Sequence, residues 1–197
     1  MSTSNKEIIL NRIRQNKPNP VILKDSSFGN LPANASQLMA TLKGIKTEVV
    51  LIPDLNAVQE EIQQLQQAGK VVLSVLDNLN ATEQKLLSKK SAADLANLDY
   101  AFIKGSYAVT ENGAIWVSDK NICNRLIPFI CKHLVIVIDT AHILADMHQA
   151  YAAINIREDG YGVFIAGPSK TADIEQSLVI GAHGPLSMKV YILQKES

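Results

Sequence analysis

The stretch TEVVLIPDLNAVQEEIQQLQQAGKVVLSVL, residues 47–76, places a polar helix between two short apolar segments. Both apolar segments are rich in β-branched residues, which favour strands that are buried in a sheet. Between them, Asp54 is a candidate N-cap residue, and Gly69 is a suitable residue for the end of the helix. A strand, a helix and a second strand in this order predict a right-handed crossover between parallel strands.

The same alternation continues along the chain. We expect further strands at Tyr100–Ile103, Tyr107–Thr110, Ala114–Val117, 133–139, 160–167 and 187–193. We expect further helices at Asn5–Gln15, Ala35–Lys43, Thr82–Ser88, Ala92–Leu98 and Ala141–Asn155. Asn112 and Gly113 form a strong hairpin signal between two of the short strands. The sequence therefore predicts an α/β fold with a mostly parallel sheet flanked by helices and a β-hairpin insertion.

Length and composition fit one main domain. The chain has 197 residues, of which 47% are hydrophobic, so it can bury a substantial core. Prolines in the segment NKPNP, residues 16–20, stop the first helix, because proline cannot continue the helical hydrogen bonds. We therefore expect an N-terminal helix and irregular arm over residues 1–33 and a single α/β domain over residues 34–197.

Charge and hydropathy argue against several kinds of partner, although the net charge leaves a local charged patch open. Nineteen basic residues balance nineteen acidic ones, which gives no electrostatic case for a nucleic acid or an anionic membrane. The longest apolar runs are too short for a membrane span, and the first dozen residues are typical of an amphipathic helix rather than a secretory signal. We expect a cytoplasmic protein.

The possible metal ligands do not form a recognisable set. Cys123 and Cys131 have neither zinc-site nor iron–sulfur spacing, and a disulfide is not expected in a reducing compartment. His142 and His148 are six residues apart, so they do not share a helix face as an i, i+4 metal pair does. We expect no cofactor and no metal in this chain.

The segment GPSKTADIE, residues 167–175, contains the first group of candidate binding residues. Gly167 permits a sharp turn, and Ser169, Lys170 and Thr171 then place hydroxyls and an ammonium at the start of a predicted helix. The free N–H groups of a helix N-terminus attract anions, so this segment predicts an anion-binding site. Alternatively, Ser169 or Thr171 only caps the helix, and the acidic residues that follow complement its dipole.

A second loop, His183-Gly184-Pro185, follows the same predicted helix. A histidine in such a loop is suited to carry a proton or to bind an anion. It is equally suited to hold a backbone carbonyl and shape the turn. The residues alone leave these roles of His183 and its neighbour Gly184 open.

Two further candidates lie earlier in the sequence. Glu111 precedes the predicted Asn112-Gly113 turn, where a carboxylate can act as a nucleophile or base, or can simply be solvated. Arg125 is either an anion clamp or one member of a surface ion pair. Ligands of parallel α/β sheets lie beyond the carboxyl ends of the strands, which points to the loops after Pro53, Leu76, Asp139 and Gly167.

The segment AGPSKTADIEQSLVIGAHGP, residues 166–185, resembles the C-terminal signature of the lactate-utilisation protein C family, whose domain is called the LUD domain. YAVTENGAIW resembles an earlier segment of that family, and the stretch from Arg125 to Pro128 resembles its arginine-to-proline stretch. The signature positions that match are Gly167, Pro168, Ser169, Thr171, Ala172, Asp173, Ile174, Glu175, Gly181, His183, Gly184 and Pro185. The likeness is strong in the second half of the chain.

This resemblance implies the fold of the sugar-phosphate isomerase and coenzyme A transferase group (NagB/RpiA/CoA transferase-like). It also implies a role in oxidising L-lactate to pyruvate beside separate iron–sulfur subunits, which would carry the clusters. Two positions depart from the family pattern. Lys170 replaces an arginine, so the charge remains while bidentate binding of a carboxylate is lost. Asn112 replaces a threonine and makes the turn resemble coenzyme A transferases, in which the glutamate is the covalent nucleophile.

Three functions follow from these observations. The first is a non-redox subunit of a lactate-oxidising complex that offers an anion site at residues 167–185. The second is a stand-alone enzyme of acyl or phosphate-ester chemistry. In it Glu111 is the nucleophile, Ser169 and Lys170 at the helix N-terminus hold the anion, and His183 carries protons. The third is a non-catalytic α/β binding or scaffold module. The partners expected under the first are iron–sulfur subunits and a small anionic ligand, and a homodimer is compatible with it.

Overall fold

The computed structural model describes residues 5–18, 33–76, 80–172, 178–181 and 183–194. The chain divides into two units, Met1–Asn30 and Leu31–Ser197. The described part of the first unit is helix α1 (Asn5–Gln15), which has the bounds predicted from the sequence. Within the described ranges, no helix combines the length and the apolar character needed to cross a membrane.

The second unit alternates helices and strands. Its helices are α2 (Ala35–Gly44), α3 (Asn56–Gln67), α4 (Ala81–Ser88), α5 (Ala92–Leu95), α6 (Asp119–Ile122), α7 (Ile127–Ile130), α8 (Met147–Ala153) and α9 (Ile156–Asp159). Its strands are β1 (Glu48–Ile52), β2 (Val72–Ser74), β3 (Tyr100–Lys104), β4 (Tyr107–Val109), β5 (Ile115–Ser118), β6 (His133–Asp139), β7 (Ile143–Leu144), β8 (Gly162–Ile165), β9 (Lys170–Ala172), β10 (Leu178–Ile180) and β11 (Ser187–Leu193).

The main sheet has five strands in the order β1-β11-β6-β3-β2, and every neighbouring pair is parallel. This arrangement confirms the predicted α/β fold. The strands from the 47–76 segment, β1 and β2, lie at opposite edges of the sheet, so α3 crosses the whole of one face between them. Gly69 follows α3 with φ 75°, which confirms it as the end of the helix.

The two faces of the main sheet are buried differently. On one face, α3 contributes Val58, which packs with Phe102, Val135, Val137 and Tyr191. The opposite face forms the larger core, which includes α2 and a second, four-stranded sheet. Its fully buried side chains include Leu38, Leu42, Ile103, Ile115, Ile122, Ile127, Ile136, Ile138 and Ile192. Both faces being covered explains the near-continuous apolar character of the parallel strands.

The second sheet has the order β7-β4-β5-β8. β4 and β5 form the predicted antiparallel hairpin, with Gly113 at φ 73° in its turn. The expected helix over Ala141–Asn155 is wrong in its first half, where a 3₁₀ turn leads into β7, which runs parallel to β4. The buried Thr110 hydroxyl donates to the Ala145 carbonyl at 2.9 Å, and this tertiary contact holds the segment extended. α8 begins only at Met147, after its N-cap residue Asp146.

The helix expected after Thr171 is also wrong in the described residues. Lys170–Ala172 instead forms β9, which pairs antiparallel with β10, Leu178–Ile180. Residues 173–177 lie outside the described residues. β10 contains a valine and an isoleucine, residue types that favour strands. In the described residues, Ser169 and Lys170 therefore do not lie at a helix N-terminus.

Candidate functional site

Two turns that are distant in sequence meet at one end of the second sheet. β5 and β8 pair antiparallel with Ile115 opposite Ile165. Continuing this register outward from the sheet places Gly113 opposite Gly167. Both glycines have left-handed backbones, with φ 73° and 80°, which glycine adopts without steric cost. The structure therefore brings the Glu111-Asn112-Gly113 turn beside the Gly167 turn.

Ile45, directly after α2, lies beneath both turns. A Cβ atom added to Gly113 would be 2.9 Å from Ile45 Cδ1, and one added to Gly167 would be 2.8 Å from the Ile45 carbonyl oxygen. At Gly167 the contact is with a backbone oxygen and is too close for a side chain, whereas at Gly113 the end of the Ile45 side chain would have to move. The shared neighbour shows that the two turns converge on the same part of the fold.

Two polar groups point toward the same side of Gly167. The position of an added Cβ is 3.0 Å from Lys170 Nζ and 3.5 Å from Thr47 Oγ1. Thr47 is only 3% exposed, and its hydroxyl has no hydrogen-bond partner among the described residues. A buried hydroxyl without a protein partner is costly, so an ordered water, an ion or a ligand is expected to satisfy it. Thr47 was not among the predicted site residues, because its burial depends on packing by distant residues.

The 181–185 loop packs onto the residue that follows the Gly167 turn. Ser169 donates its backbone N–H to the Pro185 carbonyl at 3.0 Å and accepts the Gly181 N–H at 3.2 Å. A Cβ added to Gly184 would be 3.2 Å from the Ser169 Cβ. His183 is exposed beside this contact. We call Thr47, Gly167, Ser169, Lys170 and the 183–184 loop the anion cluster, after the anion site that was predicted for residues 167–185.

The anion cluster lies at the amino ends of the main-sheet strands. Thr47 directly precedes β1, and Pro185 precedes β11, its neighbour in the sheet. The expectation that the loop after Gly167 shares the carboxyl edge with the loops after Pro53 and Asp139 is therefore wrong. The reason is that β8, which leads into Gly167, belongs to the second sheet and not to the parallel one. Thr171 lies in β9, opposite Val179.

Glu111 and Asn112 have local partners in their turn. Glu111 Oε2 accepts the Met147 N–H at 3.1 Å, so its carboxylate meets the first residue of α8. A negative charge at a helix N-terminus is stabilising. Asn112 Oδ1 accepts the Ala114 N–H at 2.9 Å and thereby closes the turn. These contacts give both side chains structural roles, and the catalytic role of Glu111 stays a prediction.

Arg125 does not join the anion cluster. Its guanidinium binds Asp119 through two nitrogens, with Nε to Oδ1 at 3.0 Å and Nη2 to Oδ2 at 2.6 Å. It also lies over the Tyr161 ring, 4.4 Å from the centroid. Tyr161 precedes β8, whereas Gly167 follows it, so Arg125 is at the opposite end of the β5–β8 pair. Of the two roles considered for Arg125, the ion pair is the one that the structure contains.

Comparisons with known proteins agree with this architecture. A family model described as the LUD domain matches residues 35–193. Lactate utilization protein C of Geobacillus kaustophilus is 34% identical over 101 residues, which are 48% of this chain and 41% of that protein. Lactate utilization protein C of Bacillus pumilus is 30% identical over 135 residues, 66% of this chain and 53% of that protein. The chain thus spans about half the length of the curated relatives that it matches.

The fold is also found in a solved structure. The crystal structure of a DUF162 family protein from Deinococcus radiodurans matches with a TM-score of 0.58 at 13% identity, over 80% of this chain and 94% of that one. This likeness concerns the fold. The family match at residues 35–193 covers the whole sheet system described above, from α2 through β11. The resemblance noted in the sequence is thereby confirmed, and the chain belongs to the LUD domain family.

Proposed function

We propose that this chain is a non-redox component of an L-lactate oxidation system and that the anion cluster binds a small carboxylate. It would act in the cytoplasm beside separate iron–sulfur proteins. The observation that supports the ligand site most directly is the convergence of the Lys170 ammonium and the unpartnered Thr47 hydroxyl on Gly167. The support for the metabolic role is the likeness to proteins named lactate utilization protein C.

The chemistry of the anion cluster suits a carboxylate. Lys170 supplies a point charge, and the Thr47 hydroxyl supplies a hydrogen-bond donor that the described residues leave unused. Lactate and pyruvate each carry one carboxylate, which accepts hydrogen bonds from both kinds of donor. The exposed His183 lies on the loop that packs against Ser169, where a second polar group of the ligand can reach it.

Electron transfer is assigned to the partner proteins. The chain has two cysteines, whereas an iron–sulfur cluster held by thiolates needs four. Oxidation of a hydroxy acid to a keto acid removes two electrons and two protons. Under the proposal, this chain binds and orients the carboxylate, and iron–sulfur partners accept the electrons.

The ligand part is tested by titrating the full chain with L-lactate and pyruvate in calorimetry or amide NMR at constant ionic strength. Lys170→Gln is expected to weaken binding about tenfold, which corresponds to about 1.4 kcal/mol. Lys43→Gln, which removes an exposed lysine from the last turn of α2, is the matched control and should bind normally. Equal affinity in Lys170→Gln and the unchanged chain would refute the carboxylate site.

The metabolic part is tested separately in cells. Deletion of the gene is expected to abolish growth on L-lactate as sole carbon source but not on pyruvate, and the intact chain should restore it. Affinity purification of the tagged chain should recover proteins with iron–sulfur absorbance. Normal growth of the deletion strain on L-lactate would contradict the role in lactate oxidation, whatever the ligand titration shows.

A further inference from the structure

A groove separate from the anion cluster runs between α4 and α6. Its first part has a volume of about 390 Å³ and is lined by Ala81, Gln84, Lys85, Ser88, Asp119, Lys120 and Cys123. It continues past Ser88, Asp119 and Cys123 into a second part of about 470 Å³, which Lys90, Asn124, Arg125 and Leu126 complete. Each part has the size of a small-molecule site.

The buried side chain of Asn124 connects the two walls of the groove by hydrogen bonds. Asn124 is 8% exposed, and its amide nitrogen donates to the Leu87 carbonyl at 2.9 Å and the Lys90 carbonyl at 3.0 Å. Its amide oxygen accepts the Leu126 N–H at 3.0 Å. The end of α4 is thereby fixed to the loop after α6, so the groove is part of the fold rather than an opening between loose loops.

The backbone at the floor of the groove is strained. Cys123, which ends α6, has φ 58°, a left-handed conformation that is sterically unfavourable for a non-glycine residue. Its neighbour Asn124 is held by the three hydrogen bonds given above, which keep Cys123 in this conformation. Backbone strain that the surrounding structure maintains is common at binding sites.

The groove is strongly basic. Four cationic side chains line it, Lys85, Lys90, Lys120 and Arg125, against the single carboxylate of Asp119. Arg125 is bound to Asp119, and Lys120 lies 3.3 Å from Asp159. Within the described ranges, Lys85 and Lys90 have no carboxylate at ion-pair distance, although Lys90 is near enough to Asp94 to contribute to its lowered pKa, after the larger effect of hydrogen bonds from Ser91. The groove thus keeps an excess of positive charge.

We infer that this groove binds the phosphate group of a small organic phosphate. Lysines bind phosphate as point charges, and a phosphate carries a charge of about −1.5 to −2 at neutral pH. Because Arg125 is already paired, the binding charge comes from the lysines, and such an arrangement favours a dianion over a monocarboxylate. The groove is at the Arg125 end of the β5–β8 pair, away from Gly167, so this inference does not depend on the proposed function.

Ligand binding in the groove can be followed through the reactivity of Cys123, because this residue lines both parts of the groove. Cys131 is only 2% exposed and should not interfere. The rate of Cys123 alkylation by iodoacetamide in the full chain is measured by mass spectrometry, with and without inorganic pyrophosphate. A ligand that covers the thiol slows the reaction by the factor 1 + [L]/Kd, about tenfold at ten times Kd. We expect pyrophosphate to protect Cys123 and L-lactate at the same ionic strength to leave it unprotected.

A pair of variants tests the role of the lysines. Lys85→Gln combined with Lys90→Gln is expected to raise the pyrophosphate concentration for half-protection at least about tenfold, the effect of losing about 1.4 kcal/mol of binding. Lys89→Gln removes an exposed lysine of the same segment that does not line the groove, and it should leave protection unchanged. Protection by sodium chloride equal to that by pyrophosphate, or an equal loss in Lys89→Gln and the double variant, would overturn the inference.

Discussion

Gly113 and Gly167 lie opposite each other beyond the β5–β8 pair, and both rest against Ile45. This relationship brings a hairpin from the middle of the chain next to the loops that carry Ser169, Lys170 and His183. From the sequence, these segments were joined only by the hypothesis of a common site. Their convergence is the geometric basis for the proposed ligand site. At Gly167 a side chain would meet a backbone oxygen, and at Gly113 it would meet the movable end of the Ile45 side chain.

Gly167→Ala is expected to destabilise the protein more than Gly113→Ala. Both positions have positive φ, which costs an alanine about 1–2 kcal/mol. At Gly167 the new Cβ also meets a backbone carbonyl at 2.8 Å, whereas at Gly113 it meets the end of the Ile45 side chain, which can move. Urea unfolding of the two variants measures the difference.

The control for these variants is Gly44→Ala. A Cβ added to Gly44 has no atom within 4 Å, and the residue is the last of α2 with an ordinary backbone. Alanine there should be neutral or stabilise by up to about 1 kcal/mol, because it reduces the conformational entropy of the unfolded chain. An equal decrease in the free energy of unfolding in Gly44→Ala and Gly167→Ala would show that the contacts of Gly167 do not contribute to stability.

Thr47→Val should have opposite effects on stability and on carboxylate binding. Valine has the shape of threonine without the hydroxyl, and that hydroxyl is buried with no partner in the described parts of the chain. Removing it is expected to raise the free energy of unfolding by about 1 kcal/mol, because an unsatisfied buried donor is costly. Carboxylate binding should weaken in the same variant. A thermal melt together with a lactate titration measures both, and a destabilised variant with intact binding would contradict the assignment of Thr47.

Asp99 makes the stability sensitive to acid. The hydrogen bond from Lys132 is the main reason that the pKa of Asp99 is below its ordinary value of 3.8, with a further contribution from the Val71 N–H. Because the folded pKa is the lower one, the stabilisation is present above pH 3.8 and is lost as the pH falls through the folded pKa. Urea unfolding at pH 3 and pH 6, roughly spanning this range, measures the decrease in the free energy of unfolding on acidification. This decrease should be smaller in Asp99→Asn than in the unchanged protein. The same loss in both proteins would exclude Asp99 as a cause.

The two thiols should differ in reactivity. Burial raises the pKa of Cys131 to about 12, so almost no thiolate forms at pH 8, the usual pH of thiol assays. Burial also raises the pKa of Cys123, but this residue is partly exposed. We expect one thiol to react with Ellman's reagent in the native protein and two in urea. Rapid reaction of both thiols in the native state would show that the core around Cys131 opens readily.

The features that the sequence predicted correctly depend on local signals. The Asn112-Gly113 turn and the end of α3 at Gly69 follow from the backbone preferences of glycine, and the alternation of strands and helices follows from residue periodicity. The helix expected after Thr171 failed because acidic residues suggested a helix start, while pairing of Val179 with Thr171 formed a strand. Likewise, Ile143 was assigned to a helix, although parallel pairing with Ala108 makes it part of β7.

The site could be predicted only in part for the same reason. Gly167, Ser169, Lys170 and His183 were identified by their residue types, and the structure places their loops together. Thr47 was not identified, because nothing local distinguishes a threonine before a strand from any other. Thr47 becomes a candidate only in the folded structure, where Gly167 and Lys170 from a distant segment lie next to its hydroxyl.

The position of β11 has a consequence for the order of folding. β11 lies between β1 and β6, and it is the strand synthesised after all others in this sequence. During translation, β1 therefore has no neighbour in the main sheet until residues 187–193 leave the ribosome. A nascent chain stalled before that point exposes a gap in the middle of the sheet. Insertion of β11 then joins β1 to the other parallel strands and closes this gap.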